Sequence, residues 1–267
     1  MTKYKDLQTV LTIAGSDSGG GAGIQADIKT ITSLGSYALS VITAITAQNT
    51  MGVVDYTDVP LDMIEKQLDA ILVDIKIDAI KIGMLSNEQT ILLIKDKLEK
   101  LQNKVPIVLD PVMVAKGGHK LLKDGAEKML IKKLMPICSV ITPNIPEAEI
   151  LSKSKINNNE DMIAAGKIIL NLGIKNVLMK GGHLNSNKLT DILISRNNIL
   201  NIDAERIKTK NTHGTGCTMS SAIATGLAQK LSLNDSVLQA HKYVNQAIKL
   251  APNIGNGNGP LNHLIKI

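Results

Sequence analysis

The sequence predicts an α/β protein built on a central, mostly parallel sheet with helices on both faces. Apolar runs of strand length alternate along the chain with segments whose apolar residues recur at the helical period. Strands that alternate with helices are typical of a parallel sheet, because each crossover helix covers one of its faces. The predicted buried strands span residues 9–14, 38–47, 79–82, 107–109, 140–142 and 176–179.

The later part of the chain adds a predicted hairpin and a long helical region. Residues 189–195 and 199–202 flank a pair of asparagines, a pattern that indicates a β-hairpin. A helical region is predicted from Gly214 to Leu250. Because no linker, composition break or internal repeat interrupts the sequence, we expect one domain over residues 1–267. Earlier helices are predicted at residues 61–75, 92–101 and 162–170.

The composition argues against several classes of protein. Hydrophobic residues make up 44% of the 267 residues, but Phe and Trp are absent, so Ile, Leu, Val and Met have to fill the core. The net charge of +6 comes from dispersed lysines, and without aromatic residues for base stacking we expect no nucleic-acid partner. We expect no membrane partner either, because no apolar stretch approaches the ~20 residues that span a bilayer. The start of the chain lacks a signal-peptide pattern, and two widely spaced cysteines indicate a reducing cytoplasm.

A glycine-rich segment, residues 14–27, follows the first predicted strand and leads into a helix. Glycines let the backbone approach a ligand and present its N–H groups to it. The segment has no Lys-Ser/Thr pair and therefore is not a P-loop. An acidic residue at the end of the second strand would favour a dinucleotide site, but that strand ends in Gln48, Asn49 and Thr50. A glycine-rich turn without a ligand is the alternative.

Asp27 and Gln48 are expected near strand ends on the same edge of the sheet. The amide of Gln48 carries a donor and an acceptor, which match the adjacent acceptor and donor atoms of an aminopyrimidine edge. The carboxylate of Asp27 accepts hydrogen bonds from an exocyclic amine or from a substrate hydroxyl. The alternative is that Asp27 faces solvent and that Gln48 caps a strand.

A second glycine motif, residues 211–218, precedes a helical run of small residues. Gly214 and Gly216 flank Thr215 at the predicted helix start, where backbone N–H groups and the helix dipole stabilise the charge of a transferring phosphoryl group. Cys217 falls at this N-terminus, a position that lowers a thiol pKa. The thiolate is then expected to take the proton of an attacking hydroxyl. The alternative for Cys217 is a small buried hydrophobe.

Polar residues follow three further strands. Asp110, Asn144 and Glu147 are expected to cluster at one edge of the sheet, where hard oxygen ligands suit Mg²⁺. Asn144 followed three residues later by Glu147 also resembles a helix capping box, which explains this pair nearly as well. Lys180 can reach phosphate oxygens as a point charge. His213 and His183 are expected to be hydrogen-bonded loop residues.

Together these motifs resemble the hydroxymethylpyrimidine/phosphomethylpyrimidine kinase family over nearly the whole chain. The resemblance implies a ribokinase-like three-layer sandwich. It also implies transfer of the ATP γ-phosphoryl group, with Mg²⁺, first to hydroxymethylpyrimidine and then to its monophosphate, in thiamine biosynthesis. A homodimer is common in this superfamily. The matching segments are residues 20–27, 47–50, 81–85, 142–144, 180–183 and 213–218.

The resemblance also implies roles for individual residues. Cys217 occupies the position of the catalytic Asp of ribokinase-like sugar kinases, and Lys180, Gly214 and Gly216 belong to the same catalytic site. The pyrimidine is expected to contact Gln48, Asp27, Ala22, Gly23, Met84 and Val112. ATP is expected at Asn144, Lys180, Thr215 and Gly216, and the metal at Asp110 and Glu147.

Three alternatives remain open at this point. Pyridoxal kinase shares the fold and a similar ring with a hydroxymethyl group, although Gln48 beside Asp27 favours the pyrimidine. A pyrimidine-binding protein without catalysis is disfavoured by Lys180 and the second glycine motif. A basic nucleic-acid binder is disfavoured by the dispersed lysines. Residues 115–119 contain two glycines and are a candidate mobile loop.

Overall fold

The computed structural model describes residues 7–101, 104–113, 122–123, 125–183 and 188–265. The candidate loop at residues 115–119 lies outside these ranges. Within them nine strands form one sheet. In chain order the strands are β1 (Thr9–Asp17), β2 (Tyr37–Asn49), β3 (Gly52–Asp58), β4 (Ala79–Ile82), β5 (Ile107–Leu109), β6 (Val140–Ile141), β7 (Asn176–Met179), β8 (Lys188–Ser195) and β9 (Ile199–Glu205).

The order of strands across the sheet is β3-β2-β1-β4-β5-β6-β7-β8-β9. The strands from β2 to β7 in this order pair in parallel. At one edge β3 pairs antiparallel with β2, and at the other edge β8 pairs antiparallel with both β7 and β9. The prediction of a mostly parallel sheet with a terminal hairpin is therefore confirmed. The sequence analysis missed β3 because this edge strand has no fully buried residue to mark it as a core strand.

The helices form two layers, one on each face of the sheet. They are α1 (Gly23–Ser33), α2 (Leu61–Asp74), α3 (Glu88–Glu99), α4 (Ala126–Met129), α5 (Ile145–Ser152), α6 (Asn159–Leu170), α7 (Thr215–Ala228) and α8 (Leu233–Lys249). Helices α1, α7 and α8 share one apolar core with the sheet. Helices α2 to α6 share the other. The predicted α/β sandwich with helices on both faces is thus present.

Successive side chains of the central strands point alternately into the two cores. In β1, Leu11 and Ile13 enter the core beneath α2 to α6, whereas Val10 enters the core beneath α1, α7 and α8. Small residues on α7, such as Ala222 and Ala224, are fully buried against the sheet. Close packing of aliphatic side chains and a small-residue helix therefore builds the core without Phe or Trp.

The predicted helical region from Gly214 to Leu250 is two helices. Helix α7 ends at Ala228, and Lys230 adopts a left-handed conformation with φ of 68°. Helix α8 then begins behind Ser232, whose side chain accepts a hydrogen bond from the Asp235 N–H. Neither of them, nor any other helix in the described ranges, is long and apolar enough to cross a membrane.

The C-terminal segment is held against α7 by His263. The His263 side chain is buried, and its Nε2 lies 2.9 Å from the Thr218 hydroxyl. Burial, with a smaller contribution from the charge of Lys29, lowers the pKa of His263 to about 4. In the unfolded chain the His263 imidazole is therefore protonated below about pH 6.5, whereas in the folded chain it is protonated only below about pH 4.

We expect acid to destabilise the wild type more than His263→Gln. Stability from the neutral imidazole is fully present above pH 6.5 and is lost as the pH falls toward 4. The Tm difference between wild type and variant should therefore shrink by about 5 °C from pH 7.5 to pH 5. Tyr243→Phe removes the hydroxyl bonds to the His263 carbonyl and to Ser33 but leaves the imidazole in place, and serves as control. An equal pH dependence in all three proteins would contradict the assignment to His263.

Candidate active site

A cavity of about 910 Å³ lies at the carboxyl ends of the parallel strands, where ligands collect in open α/β folds. It joins the two glycine motifs with the polar residues that follow β5, β6 and β7. Of the residues predicted for the site, the cavity is lined by Ala22, Gly23, Gln48, Met84, Asp110, Val112, Asn144, Glu147, Lys180, Gly214, Thr215, Gly216 and Cys217.

The two glycine motifs touch at the start of α7. Gly214 caps the helix with φ of 84°, and a Cβ at this position would lie 1.8 Å from the Gly21 carbonyl oxygen. Only glycine combines this left-handed backbone with so close an approach. The N-terminus of α7 therefore opens directly onto the first glycine segment and lines the cavity, where backbone N–H groups of a helix start can bind an anion.

Cys217 lies in the first turn of α7 and lines the cavity, as predicted. The Gly23 N–H donates a hydrogen bond to its sulfur, so the thiol lies at the N-termini of both α1 and α7. The prediction that this position lowers the pKa of the Cys217 thiol is wrong for the protein without bound ligands. Burial raises the pKa of Cys217 to about 11, and the charges of Asp27 and Asp110 act in the same direction. Together they outweigh the Lys81 ammonium and the Gly23 N–H, which lower the pKa.

Asp110 and Lys180 form an ion pair beside the α7 N-terminus. Lys180 Nζ lies 2.8 Å from Asp110 Oδ1, which also accepts from the Thr142 hydroxyl. A Cβ at Gly216 would lie 3.0 Å from Asp110 Oδ2 and 3.1 Å from Lys180 Nζ, so a larger residue where the helix meets this pair would displace the two side chains slightly. The pair therefore places an anion and a cation against the same helix terminus.

Asn144 and Glu147 form the capping box of α5. The Asn144 side chain accepts from the Glu147 N–H, and the Glu147 carboxylate accepts from the Asn144 N–H, both at 2.9 Å. The capping alternative is thus confirmed, and Glu147 also lines the cavity. Burial raises the pKa of Glu147 to about 7 against the opposing attraction of Lys180, while the nearby charge of Asp110 raises it further. The carboxyl is consequently half-ionised near neutral pH.

Gln48 is held between Thr46 and His213. Its side-chain oxygen lies 3.2 Å from the Thr46 hydroxyl, and its nitrogen lies 3.1 Å from His213 Nε2. Asp17, in turn, has Oδ2 2.8 Å from His213 Nε2 and accepts backbone N–H bonds from Gly21 and Ala22. Burial works against ionisation, but the hydrogen bonds from His213 and Ala22 lower the pKa of Asp17. His213 Nε2 cannot donate to Asp17 and accept from Gln48 at once, so the Gln48 nitrogen lies beside this charged network, which spans both glycine motifs.

The structure contradicts the expected contact of Asp27 with the pyrimidine. Asp27 lies in α1, has no exposed surface and does not line the cavity. Its Oδ2 accepts from Lys81 Nζ at 2.8 Å and from the Thr12 hydroxyl at 2.6 Å. Its Oδ1 accepts from the Ser221 hydroxyl at 2.6 Å. Both oxygens are satisfied inside the protein, so the carboxylate is turned away from any ligand.

Two residues of the site escaped the sequence analysis. Asp17 received no role, and Lys81 was given none beyond its place in a strand and in the matching segment 81–85. His213 was expected to be a hydrogen-bonded loop residue, which is confirmed. A lysine inside the apolar run of β4 was the available signal, because lysine is almost never fully buried without a partner. The side chain of His183 is outside the described part of the chain.

The fold and the site define a small-molecule kinase of the ribokinase-like class. The sheet is mostly parallel between two helical layers, and a helix N-terminus with a lysine faces the cavity. The family model for phosphomethylpyrimidine kinase matches residues 17–262. The chain therefore belongs to the phosphomethylpyrimidine kinase family.

Curated relatives carry names of the same family. The chain is 46% identical to the hydroxymethylpyrimidine/phosphomethylpyrimidine kinase of Rhizobium meliloti, over 95% of this chain and 96% of that protein. It is 49% identical to the thiamine biosynthesis bifunctional protein ThiED of Geobacter sulfurreducens, over 96% of this chain. The match spans 52% of ThiED, so the chain corresponds to about half of that longer protein.

Solved structures include neighbours of two kinds. The phosphomethylpyrimidine kinase of Clostridium difficile 630 superposes with a TM-score of 0.80 at 47% identity, covering 90% of this chain and 99% of that one. The pyridoxal kinase of Bacillus subtilis, solved as an ADP complex, superposes with a TM-score of 0.90 at 36% identity, covering 97% and 98%. Overall shape therefore does not separate these two kinase activities.

We expect Glu147→Gln to stabilise the protein more at pH 8 than at pH 5. The folded carboxyl, with a pKa of about 7, binds its proton more tightly than the unfolded one, so its contribution to stability falls between pH 4.5 and 7. Glutamine keeps the capping bond without the buried charge. Tm measured with EDTA and without nucleotide tests this. Glu149→Gln, on the same helix but outside the cavity, should give no such gain; a gain in both variants would refute the explanation.

Proposed function

We propose that this protein is a single-domain kinase that phosphorylates 4-amino-5-hydroxymethyl-2-methylpyrimidine with ATP and then converts the monophosphate to the diphosphate, for thiamine biosynthesis. The observation that carries the proposal is the position of the α7 N-terminus. It lines the same cavity as Gln48 on one hand and the aliphatic side chains of Ile207 and Ile248 on the other. An acceptor alcohol and a nucleotide can therefore meet at the phosphoryl-binding N–H groups.

The residues around Gln48 suit the pyrimidine. Met84 and Val112 supply apolar walls for a flat ring, and Ala22 and Gly23 bring the α1 backbone to the cavity. The Gln48 amide accepts from the Thr46 hydroxyl and retains a donor and an acceptor for the aminopyrimidine edge. Gln48 is thus the residue on which the choice of ring depends.

A second group of lining residues suits ATP. Lys180, Asn144, Thr215 and Gly216 face the phosphates, while Ile150, Ile207 and Ile248 offer aliphatic surface for the adenine. Asp110 and Glu147 would hold Mg²⁺. The described residues contain no cluster of three or more potential protein ligands, and Mg²⁺ commonly binds one or two carboxylates together with phosphates and water. The ion, when bound, neutralises charge on the phosphates.

The chemistry is proposed to depend on Cys217 and the N–H groups around it. The substrate hydroxyl oxygen bonds to the γ-phosphorus while the bond to the β–γ bridging oxygen breaks, and the hydroxyl proton passes to the Cys217 thiolate. The N–H groups from Gly214 to Gly216 and the Lys180 ammonium stabilise the charge on the phosphoryl oxygens. With a thiol pKa of about 11, the thiolate is a minor species at neutral pH, so its formation needs nearby positive charge.

We expect ATP-dependent phosphorylation of hydroxymethylpyrimidine, with kcat/KM falling at least ten-fold in Gln48→Ala, because the variant loses two hydrogen bonds to the ring edge. Initial rates with hydroxymethylpyrimidine and pyridoxal, measured side by side, test this. Asn49→Ala is the matched control, since Asn49 is an amide one position further along β2 that does not line the cavity. An unaffected Gln48→Ala rate would remove Gln48 from substrate recognition.

Pyridoxal kinase is the second candidate, supported by the high TM-scores of pyridoxal kinases. Activity on pyridoxal alone in the same assay would retain the phosphoryl-transfer site and move the function to that class. Absence of activity on both substrates would favour a binding protein.

We expect Cys217→Ala to lower kcat by at least 100-fold while the Kd for ATP changes less than three-fold. The variant removes the proton acceptor but leaves the backbone N–H groups of α7 in place. Steady-state kinetics and ATP titration calorimetry measure the two quantities. Turnover equal to the wild type would exclude Cys217 as the base.

The cytoplasm is the proposed compartment, because a free Cys217 thiol in the site persists in reducing surroundings. The homodimer implied by the superfamily is likewise a proposal, which the molar mass in solution tests.

A further inference from the structure

One buried ion pair has no part in the proposed contacts with substrate. Lys81 of β4 and Asp27 of α1 are both fully buried, with Nζ 2.8 Å from Oδ2. Thr12 and Ser221 donate to the same carboxylate. Replacing a buried pair by apolar residues is often neutral or stabilising, so stability alone is a weak reason for it. Its position relative to the cavity provides a better one.

The pair lies one helical turn below the Cys217 sulfur. Ser221, which donates to Asp27, is four residues after Cys217 and therefore on the same face of α7. Asp27 is likewise four residues after Gly23, whose N–H donates to the sulfur. Helix α7 thus carries Cys217 and, one turn later, a donor to the buried pair. Helix α1 carries the N–H that contacts the sulfur and, one turn later, the carboxylate of the pair.

The Lys81 ammonium has donors that Asp27 does not use. It carries three N–H bonds, and within the described ranges Asp27 is its one hydrogen-bond partner. Although it lies inside the sheet, Lys81 lines the same cavity as Cys217. The charged groups that surround the thiol are Lys81 from β4, Lys180 after β7, Asp27 from α1 and Asp110 after β5.

We propose that Lys81, held in place by Asp27, is a positioning residue that stabilises negative charge on the Cys217 sulfur. The proposal rests on the role of Cys217 as proton acceptor in the proposed function. The thiol proton leaves to solvent, the thiolate forms beside the ammonium, and it then takes the proton of the substrate hydroxyl as that oxygen bonds to phosphorus. Asp27 thereby acts through Lys81 and has no contact with substrate.

Opposite charges at Lys81 and Asp27 predict opposite effects on the thiol. The ammonium favours the thiolate, and the carboxylate opposes it. A purely structural pair would instead give the same loss of order whichever partner is removed. The pH dependence of thiol reactivity therefore separates the two explanations.

The experiment measures alkylation of Cys217 by iodoacetamide in the full chain between pH 6.5 and 10, without ATP. We expect Lys81→Met to react about ten-fold more slowly than wild type at pH 8 and Asp27→Asn to react faster. Cys217→Ala gives the background from Cys138, which is fully buried. Ser221→Ala is the matched control, because it removes one bond to Asp27 but leaves both charges in place. Its rate should stay near that of the wild type.

A double variant, Lys81→Met with Asp27→Asn, keeps the test valid if a single charge left in the core prevents folding. Because the ammonium has the larger effect on the thiol, the double variant should react more slowly than wild type but faster than Lys81→Met. Equal rates in wild type and double variant, or shifts of the same sign in the two single variants, overturn the proposal. Full kinase turnover in Cys217→Ala would instead refute the proposed base and leave the alkylation result intact.

Discussion

The site depends on one close backbone contact, that of Gly214 with the Gly21 carbonyl. A Cβ at Gly214 would fall 1.8 Å from that oxygen, so the contact exists only because the residue is glycine. It brings the N-terminus of α7 against the first glycine segment and places Cys217 beside the Gly23 N–H. The N–H groups proposed to bind the phosphoryl group and the residues proposed to bind the pyrimidine are adjacent for this reason, although some 190 residues separate the two motifs in sequence.

Charge in the site is balanced in pairs. Lys81 is matched by Asp27 and Lys180 by Asp110, so that each lysine has a carboxylate within 2.8 Å. Burial raises the pKa of the two unmatched acids, Cys217 and Glu147, and both hold their protons more tightly than they would in water. The charges of the two lysines beside Cys217 are thus matched within the protein, and the proposed ATP and Mg²⁺ would add charge to this arrangement when they bind.

The same sheet contributes side chains to both the apolar core and the site, because successive side chains along a strand point to opposite faces. In β4, Ile80 and Ile82 pack beneath α2 to α6, while Ala79 packs on the opposite core. Lys81 is fully buried and pairs with Asp27 of α1. Aliphatic packing without Phe or Trp leaves the face under α1 and α7 tight, with small residues where the helices approach the strands. A polar network fits there only because Thr12, Ser221 and Asp27 satisfy one another.

The sequence by itself determined the alternation of strands and helices, the terminal hairpin, both glycine motifs and the membership of Gln48, Lys180 and Cys217 in one site. These features can be predicted because periodicity, glycine positions and strand ends each depend on residues that are neighbours in the sequence. Tertiary structure alone decided that Asp27 faces Lys81, 54 residues away, instead of a ligand, and that Asp17 and His213 pair beside Gln48. It also decided the ionisation of Cys217. The local helix terminus predicts a lowered pKa, but desolvation by residues distant in sequence raises it to about 11, because burial is a property of the whole fold.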